Sequence, residues 1–148
     1  MNHPILVLHP WALVAATVAA FIFGGMWYGP LFGKKWAKLM GMPGDCKPDP
    51  KLMRRAFSLQ LVGTFLAVFV LAHIDQIHRP SVWGLSEPEG PNYMYGFFNG
   101  FFIWLGFYIP LQLGKVSWEN KPWKLFFINA GHDFFNLQIM AQIIAHWR

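Results

Sequence analysis

Four polar residues, Asn129, His132, Asp133 and Asn136, lie at i, i+3, i+4 and i+7 in an otherwise apolar stretch near the C-terminus. On a helix that spacing puts all four on one face. A carboxyl beside an imidazole can shuttle protons, or hold a cation or a polar head group. Asp133 is the only charged side chain between Leu125 and Trp147. A charge at the centre of a membrane helix costs about 2.5–3.5 kcal/mol on insertion scales, so it faces a protein interior and marks a functional candidate. The plainer alternative is interhelical hydrogen bonding, worth about 0.6 kcal/mol per bond in membranes.

Other helices must bring partners to that face. Matching depths at about 1.5 Å per residue sets Gln60 level with Asn129, and Thr64 level with His132 and Asp133. A third helix running the other way sets Asn99 level with Asn136 and Trp104 near Asp133. The expected buried network is therefore Gln60, Thr64, Asn99, Trp104, Asn129, His132, Asp133 and Asn136, with Thr64 and Trp104 as donors to Asp133. Gln138 and Gln142 fall on the opposite face of the last helix. They point to a second contact, with another subunit or with the first helix.

The positioning elements are read from where charge is missing. No charged side chain occurs from Met1 to Gly33, from Ala56 to Ile74, or from Gly90 to Gly114. About 20 apolar residues cross roughly 30 Å of hydrocarbon as a helix. The expected fold is all-α, one membrane domain over residues 1–148 with four transmembrane helices at about 10–28, 55–75, 93–114 and 123–146. These stretches are too long and too weakly alternating for barrel strands. Trp11, Trp27, Tyr28, Tyr93, Tyr95, Trp123 and Trp147 stand at the span ends, as interfacial belts require. The first span lacks a basic leader and continues into Trp27-Tyr28, so it reads as retained rather than cleaved.

Composition agrees. The 148 residues are 55% hydrophobic and 13% charged, against roughly 25% charged in soluble domains. Disordered, collagenous and disulfide-scaffold classes are excluded. The net charge of +5 is unevenly placed. Lys34, Lys35, Lys38, Lys47, Lys51, Arg54 and Arg55 crowd the first loop, and Lys115, Lys121 and Lys124 the third. The second loop has Arg79 with Glu87 and Glu89. Basic loops stay cytoplasmic, so both termini are expected outside. The charge thus reads as topology and lipid contact, not nucleic-acid binding. In the first loop Phe32, Trp36, Leu39 and Met40 share a helical face that Lys34, Lys35 and Lys38 avoid, which predicts a short interfacial helix.

Small residues supply packing signals. Ala12, Ala16, Ala20 and Gly24 recur every four residues, and Gly96 and Gly100 form a GxxxG. Such faces let backbones approach in lipid. They serve either a homo-oligomer seam or the bundle of one chain.

The remaining chemistry is sparse. His9, His73, Asp75, His78 and His146, with His3, fall toward the external side and are weak metal candidates. Two facing histidines could instead hold haem or a chlorin. Solvated or belt histidines are the plainer reading, and no cofactor is expected. Cys46 is a lone cysteine and forms no internal disulfide. No GxSxG, P-loop, dinucleotide fingerprint or HExxH is present, so no catalytic set is assigned.

Two stretches resemble a known family. They are Phe23-Gly24-Gly25-Met26-Trp27-Tyr28-Gly29-Pro30-Leu31-Phe32-Gly33-Lys34-Lys35-Trp36, and Trp104-Leu105-Gly106-Phe107 followed by Lys121-Pro122-Trp123-Lys124-Leu125-Phe126-Phe127-Ile128-Asn129-Ala130-Gly131. They are similar to the domain-of-unknown-function family 1761. The resemblance implies a small four-span bacterial membrane protein and implies no activity.

Three functional readings follow. A non-enzymatic subunit or scaffold, working through helix contacts with itself or other membrane proteins, leads because the small-residue faces are explicit. A small transporter or ligand- or proton-binding protein built on the polar stripe is the alternative. A metal or tetrapyrrole protein using external histidines is third.

The orientation is testable on Cys46, which lies among the first-loop basic residues. A membrane-impermeant thiol reagent should label it only after cells are opened. Labelling in intact cells would reverse the orientation.

Overall fold

The computed structural model describes residues 6–44 and 49–147. His3, Cys46, Lys47 and Arg148 lie outside the described residues. The described chain is helical: α1 (Pro10–Met26), α2 (Gly33–Leu39), α3 (Pro50–Ile77), α4 (Asn92–Ile103), α5 (Ile109–Glu119) and α6 (Trp123–His146). Two π-turns, Trp27–Leu31 and Trp104–Tyr108, extend α1 and join α4 to α5, and a short 3₁₀ turn covers Pro80–Trp83.

Proline placement explains most of these boundaries. Pro10, Pro50 and Pro80 open helices where a missing N–H costs nothing. Asp49 caps α3 by accepting from the Lys51 backbone N–H at 2.9 Å. Pro30 lies inside the first π-turn and Pro110 lies two residues past the end of the second. Proline lacks the N–H for its i−4 carbonyl and its ring collides with that carbonyl. The wider π-turn relieves the collision without ending the helix. Gly33 follows the first π-turn because a Cβ there would lie 2.5 Å from the Tyr28 carbonyl oxygen.

Three helices are long and apolar enough to cross a membrane: Pro10–Leu31, Pro50–Ile77 and Asn92–Glu119. The expectation of four is corrected. α6 has 24 residues but is not among them. Its own Asn129, His132, Asp133, Asn136, Gln138 and Gln142 make it too polar. It is instead the enclosed helix, packed against α1, α3 and α4. Ten of its residues are buried, from Leu125 to Ala145.

The arrangement inverts a soluble domain. Val14, Val18 and Ile22 of α1, Leu59, Val62, Leu66 and Val70 of α3, and Phe98 and Phe102 of α4 are exposed. Thr17, Thr64, Asp75, Arg79, Asn99, Gln112, Asn129 and His132 are buried. Large contiguous apolar surfaces mark contact with membrane or partner. α2 follows the expected amphipathic pattern. Lys34, Lys35 and Lys38 are exposed, whereas Phe32, Trp36, Leu39 and Met40 are half-buried.

The small-residue faces are used within the chain. Ala12, Ala16 and Ala20 are buried in the α1 interface, and Ala16 and Ala20 join the central cluster with Val68, Leu71, Leu137 and Met140. Gly24 faces the His132 ring, 3.4 Å from where its Cβ would stand. Gly96 and Gly100 admit the side chains of Gln142 and Gln138. Those glutamines donate to the α4 carbonyls of Tyr93 at 3.0 Å and Phe97 at 3.2 Å. Both expectations for the glutamine face, another subunit or the first helix, give way to this contact with α4.

At the end opposite the basic loops, Arg79 is fully buried. Its guanidinium forks onto Asp75 at 2.7 and 3.1 Å, donates to Asn92 at 3.0 Å and reaches the Ala145 carbonyl at 3.1 Å. It also approaches Glu89 at 3.4 Å and lies 4.4 Å from the Tyr95 ring centroid. One side chain thereby ties α3, the second loop, α4 and the end of α6. Every strong donor has an acceptor, the condition under which a buried cation is tolerated.

Two stability outcomes follow. Arg79→Ala leaves Asp75 buried without its cation, so unfolding in detergent should lose about 3–5 kcal/mol; an unchanged denaturation curve would mean that the pair is solvated. Gly100→Leu drives a side chain into Gln138 and the Leu137 carbonyl, and should cost about 1–3 kcal/mol by the same assay. An unaltered melting temperature would place Gly100 toward lipid.

Candidate functional site

The polar face of α6 is held by indoles on both sides. Trp27 Nε1 donates to the Ile128 carbonyl at 3.2 Å, and Trp104 Nε1 donates to the Ala130 carbonyl at 2.8 Å. Both indoles come from the π-turns. A π-turn shifts the side chains that follow by one position around the helix, and such turns recur at functional sites. Here they fix the rotation of α6 from two directions.

The side chains between the indoles form one connected set. Tyr28 Oη donates to Asn129 Oδ1 at 3.0 Å. Gln112 Nε2 donates to Asp133 Oδ2 at 2.7 Å, while Gln112 Oε1 accepts from Asn129 Nδ2 at 3.5 Å. His132 Nδ1 meets the other carboxylate oxygen, Asp133 Oδ1, at 3.1 Å. An ionised carboxylate only accepts, so Nδ1 turns its N–H toward Asp133. The imidazole is enclosed by the rings of Phe23, Trp27 and Tyr28, with centroids 5.8, 6.2 and 4.7 Å away.

Two atoms in this set have no hydrogen-bond partner although they are buried: His132 Nε2 and Asn136 Oδ1. A buried polar atom left unpaired costs about 1–3 kcal/mol and calls for an explanation in an unmade contact. Beside them lies a cavity of about 760 Å³. Its inner wall is Gln60, Thr64, Gln112, Asn129, His132, Asp133 and Asn136, with Tyr28. Its outer wall includes Trp36 and Met40 beyond α1, Met53 of α3, and Lys115, Glu119 and Lys121 at the end of α5. The cavity therefore runs from the basic loops inward to the dyad of His132 and Asp133.

The eight residues expected to form one network divide into several. Asn129, His132, Asp133 and Asn136 line the cavity together. Gln60 and Thr64 line it as well, but Thr64 Oγ1 donates to the Gln60 carbonyl at 2.8 Å, within its own helix. Trp104 bonds the α6 backbone instead of Asp133. Asn99 stands elsewhere: its Oδ1 accepts from His78 Nδ1 at 2.6 Å and its Nδ2 donates to Asp75 Oδ1 at 3.4 Å. The depth match was short by about one turn, because Gly96 and Gly100 face Gln142 and Gln138 rather than Asn136. The donors expected for Asp133, Thr64 and Trp104, are replaced by Gln112 and His132.

Sequence reasoning passed over Gln112, Tyr28 and Arg79. Gln112 and Tyr28 look like end-of-span residues, and the signal that both face inward was the proline close to each. Asp75 and Arg79 are four residues apart, a spacing that pairs opposite charges near a helix end.

The external metal candidates do not gather. Among the described residues, no group of three or more His, Cys, Asp and Glu is placed to hold a metal. His73 Nδ1 bonds the Phe69 carbonyl at 2.7 Å, and His146 Nδ1 the Gln142 carbonyl at 2.9 Å. Asp75 belongs to Arg79 and His78 to Asn99. His9 is exposed at the start of α1.

No curated protein and no solved structure matches the chain. A family model described as "Protein of unknown function (DUF1761)" matches residues 11–145, so it covers both π-turns and the whole cavity wall. The chain belongs to that family.

Proposed function

We propose that the protein is an integral membrane protein that binds a small polar molecule in the cavity along α6, entered from the basic-loop side. The observation that carries this reading is the pair of unsatisfied buried atoms, His132 Nε2 and Asn136 Oδ1, at the inner wall of that cavity. The three apolar helices meet lipid, and α6 runs among them with its polar face turned from hydrocarbon. The positive-inside rule sets the mouth toward the cytoplasm, with both termini outside. A bacterial inner membrane is the setting this topology suits.

This reading is favoured over a scaffold acting through helix contacts. The features that suggested a scaffold, the alanine face, the GxxxG and the glutamine face, all have partners within the chain. Carriage across the membrane is a further step; the cavity supports binding from one side.

Accessibility tests the reading. In a Cys46→Ser background, Asn136→Cys should react with a small charged thiosulfonate added to the basic-loop side, whereas Phe135→Cys, exposed on the apolar surface, should not. In parallel, Asp133→Asn should fold normally yet fail to complement a deletion strain. An inert cysteine at 136 would remove the water-accessible cavity, and full complementation by Asp133→Asn would remove any charge-dependent role.

A further inference from the structure

We infer that the ligand of this cavity is a small zwitterion bearing a primary ammonium and a phosphate, of the phosphoethanolamine type, either free or as a lipid head group. The inference rests on the binding reading above and adds its chemistry. The inner end of the cavity holds Asp133 and Asn136 and no lysine or arginine. Asp133 has two hydrogen-bond contacts, with Gln112 and His132, and neither comes from a lysine or arginine. The unpaired Asn136 Oδ1 is a further acceptor. An ammonium supplies three N–H donors, and a carboxylate screened from water holds it strongly.

The outer end has the opposite character. Lys115 is half-buried and lines the cavity three residues beyond Gln112, so it stands about 4.5 Å further along α5. Lys121 lines the same mouth, with the exposed Glu119 between them in sequence. Among the described residues, neither lysine has a salt bridge. A simple cation would be repelled at this mouth, and a simple anion would be repelled by Asp133 at the inner end. A molecule with its ammonium inward and its phosphate outward, separated by about one helical turn, meets both. A quaternary ammonium fits less well, because it has no N–H for Asn136 Oδ1.

The test uses the full chain purified in detergent and phosphoethanolamine as probe. Added phosphoethanolamine should raise the melting temperature in a saturable way. Phosphocholine, ethanolamine and inorganic phosphate should each bind at least tenfold more weakly. Asp133→Asn and Lys115→Gln, checked for wild-type helicity, should each weaken phosphoethanolamine at least tenfold. In a second arm, protein in nanodiscs of phosphatidylglycerol with or without phosphatidylethanolamine is released into a native mass spectrometer. Phosphatidylethanolamine retained without any response to the free probe assigns a lipid source, and the reverse assigns a soluble one. Equal binding of phosphocholine overturns the ammonium assignment. No response in either arm overturns the zwitterion, and continued labelling of Asn136→Cys would then show that the cavity binds something else.

Discussion

A carboxylate cannot stand in hydrocarbon without partners, and the interior of this protein is arranged around giving Asp133 two of them. Gln112 must reach it from α5 and His132 must turn back to it from the preceding residue. Both require α6 to hold one rotation. Trp27 and Trp104 fix that rotation by bonding carbonyls two residues apart on α6. Backbone carbonyls accept a second bond beyond the one the helix uses, so the clamp leaves the helical ladder in place. The apolar helices then have their faces assigned: small residues inward and bulky aliphatic and aromatic residues outward.

The two ends of the bundle solve different problems with similar chemistry. At one end Arg79 has a full set of acceptors and no space around it, an arrangement that fixes a loop and tolerates little change. At the other, the dyad of His132 and Asp133 has incomplete partners and adjoins an open volume. The contrast separates a structural charge from a binding one. Both are ionisable groups within or beside apolar helices, and only the second is left with contacts still to make.

The helical class and approximate helix positions were legible in the sequence because charge-free runs and prolines mark them directly. The polar face of α6 was legible as well, since four residues on one helix obey a fixed angular spacing. Its partners were not. Depth matching assumes regular helices, and the two π-turns each insert a residue that rotates everything after it. Gln112 lies beyond the second of them and so escaped the match, as Tyr28 did within the first. Asn99 shows the other failure. Its residue type suits the α6 stripe, but the close approach allowed by Gly96 and Gly100 sets α4 about one turn away from the assumed register. The α6 span was overcounted because a lack of charge was taken for apolarity, while amides and imidazoles lower apolarity without adding charge.

The polarity of α6 also bears on how the molecule is made. A segment carrying Asn129, His132, Asp133, Asn136, Gln138 and Gln142 partitions poorly into lipid by itself. It leaves the ribosome after α1 to α5. By then α1, α3 and the α4–α5 arm have already emerged, with the Tyr93 and Phe97 carbonyls, the two indoles and Gln112 in place to receive it. α6 is thus a passenger whose entry depends on its predecessors. Chain order itself acts as an assembly device, and a nascent chain halted before α6 would present its neighbours with an open polar slot in place of a finished bundle.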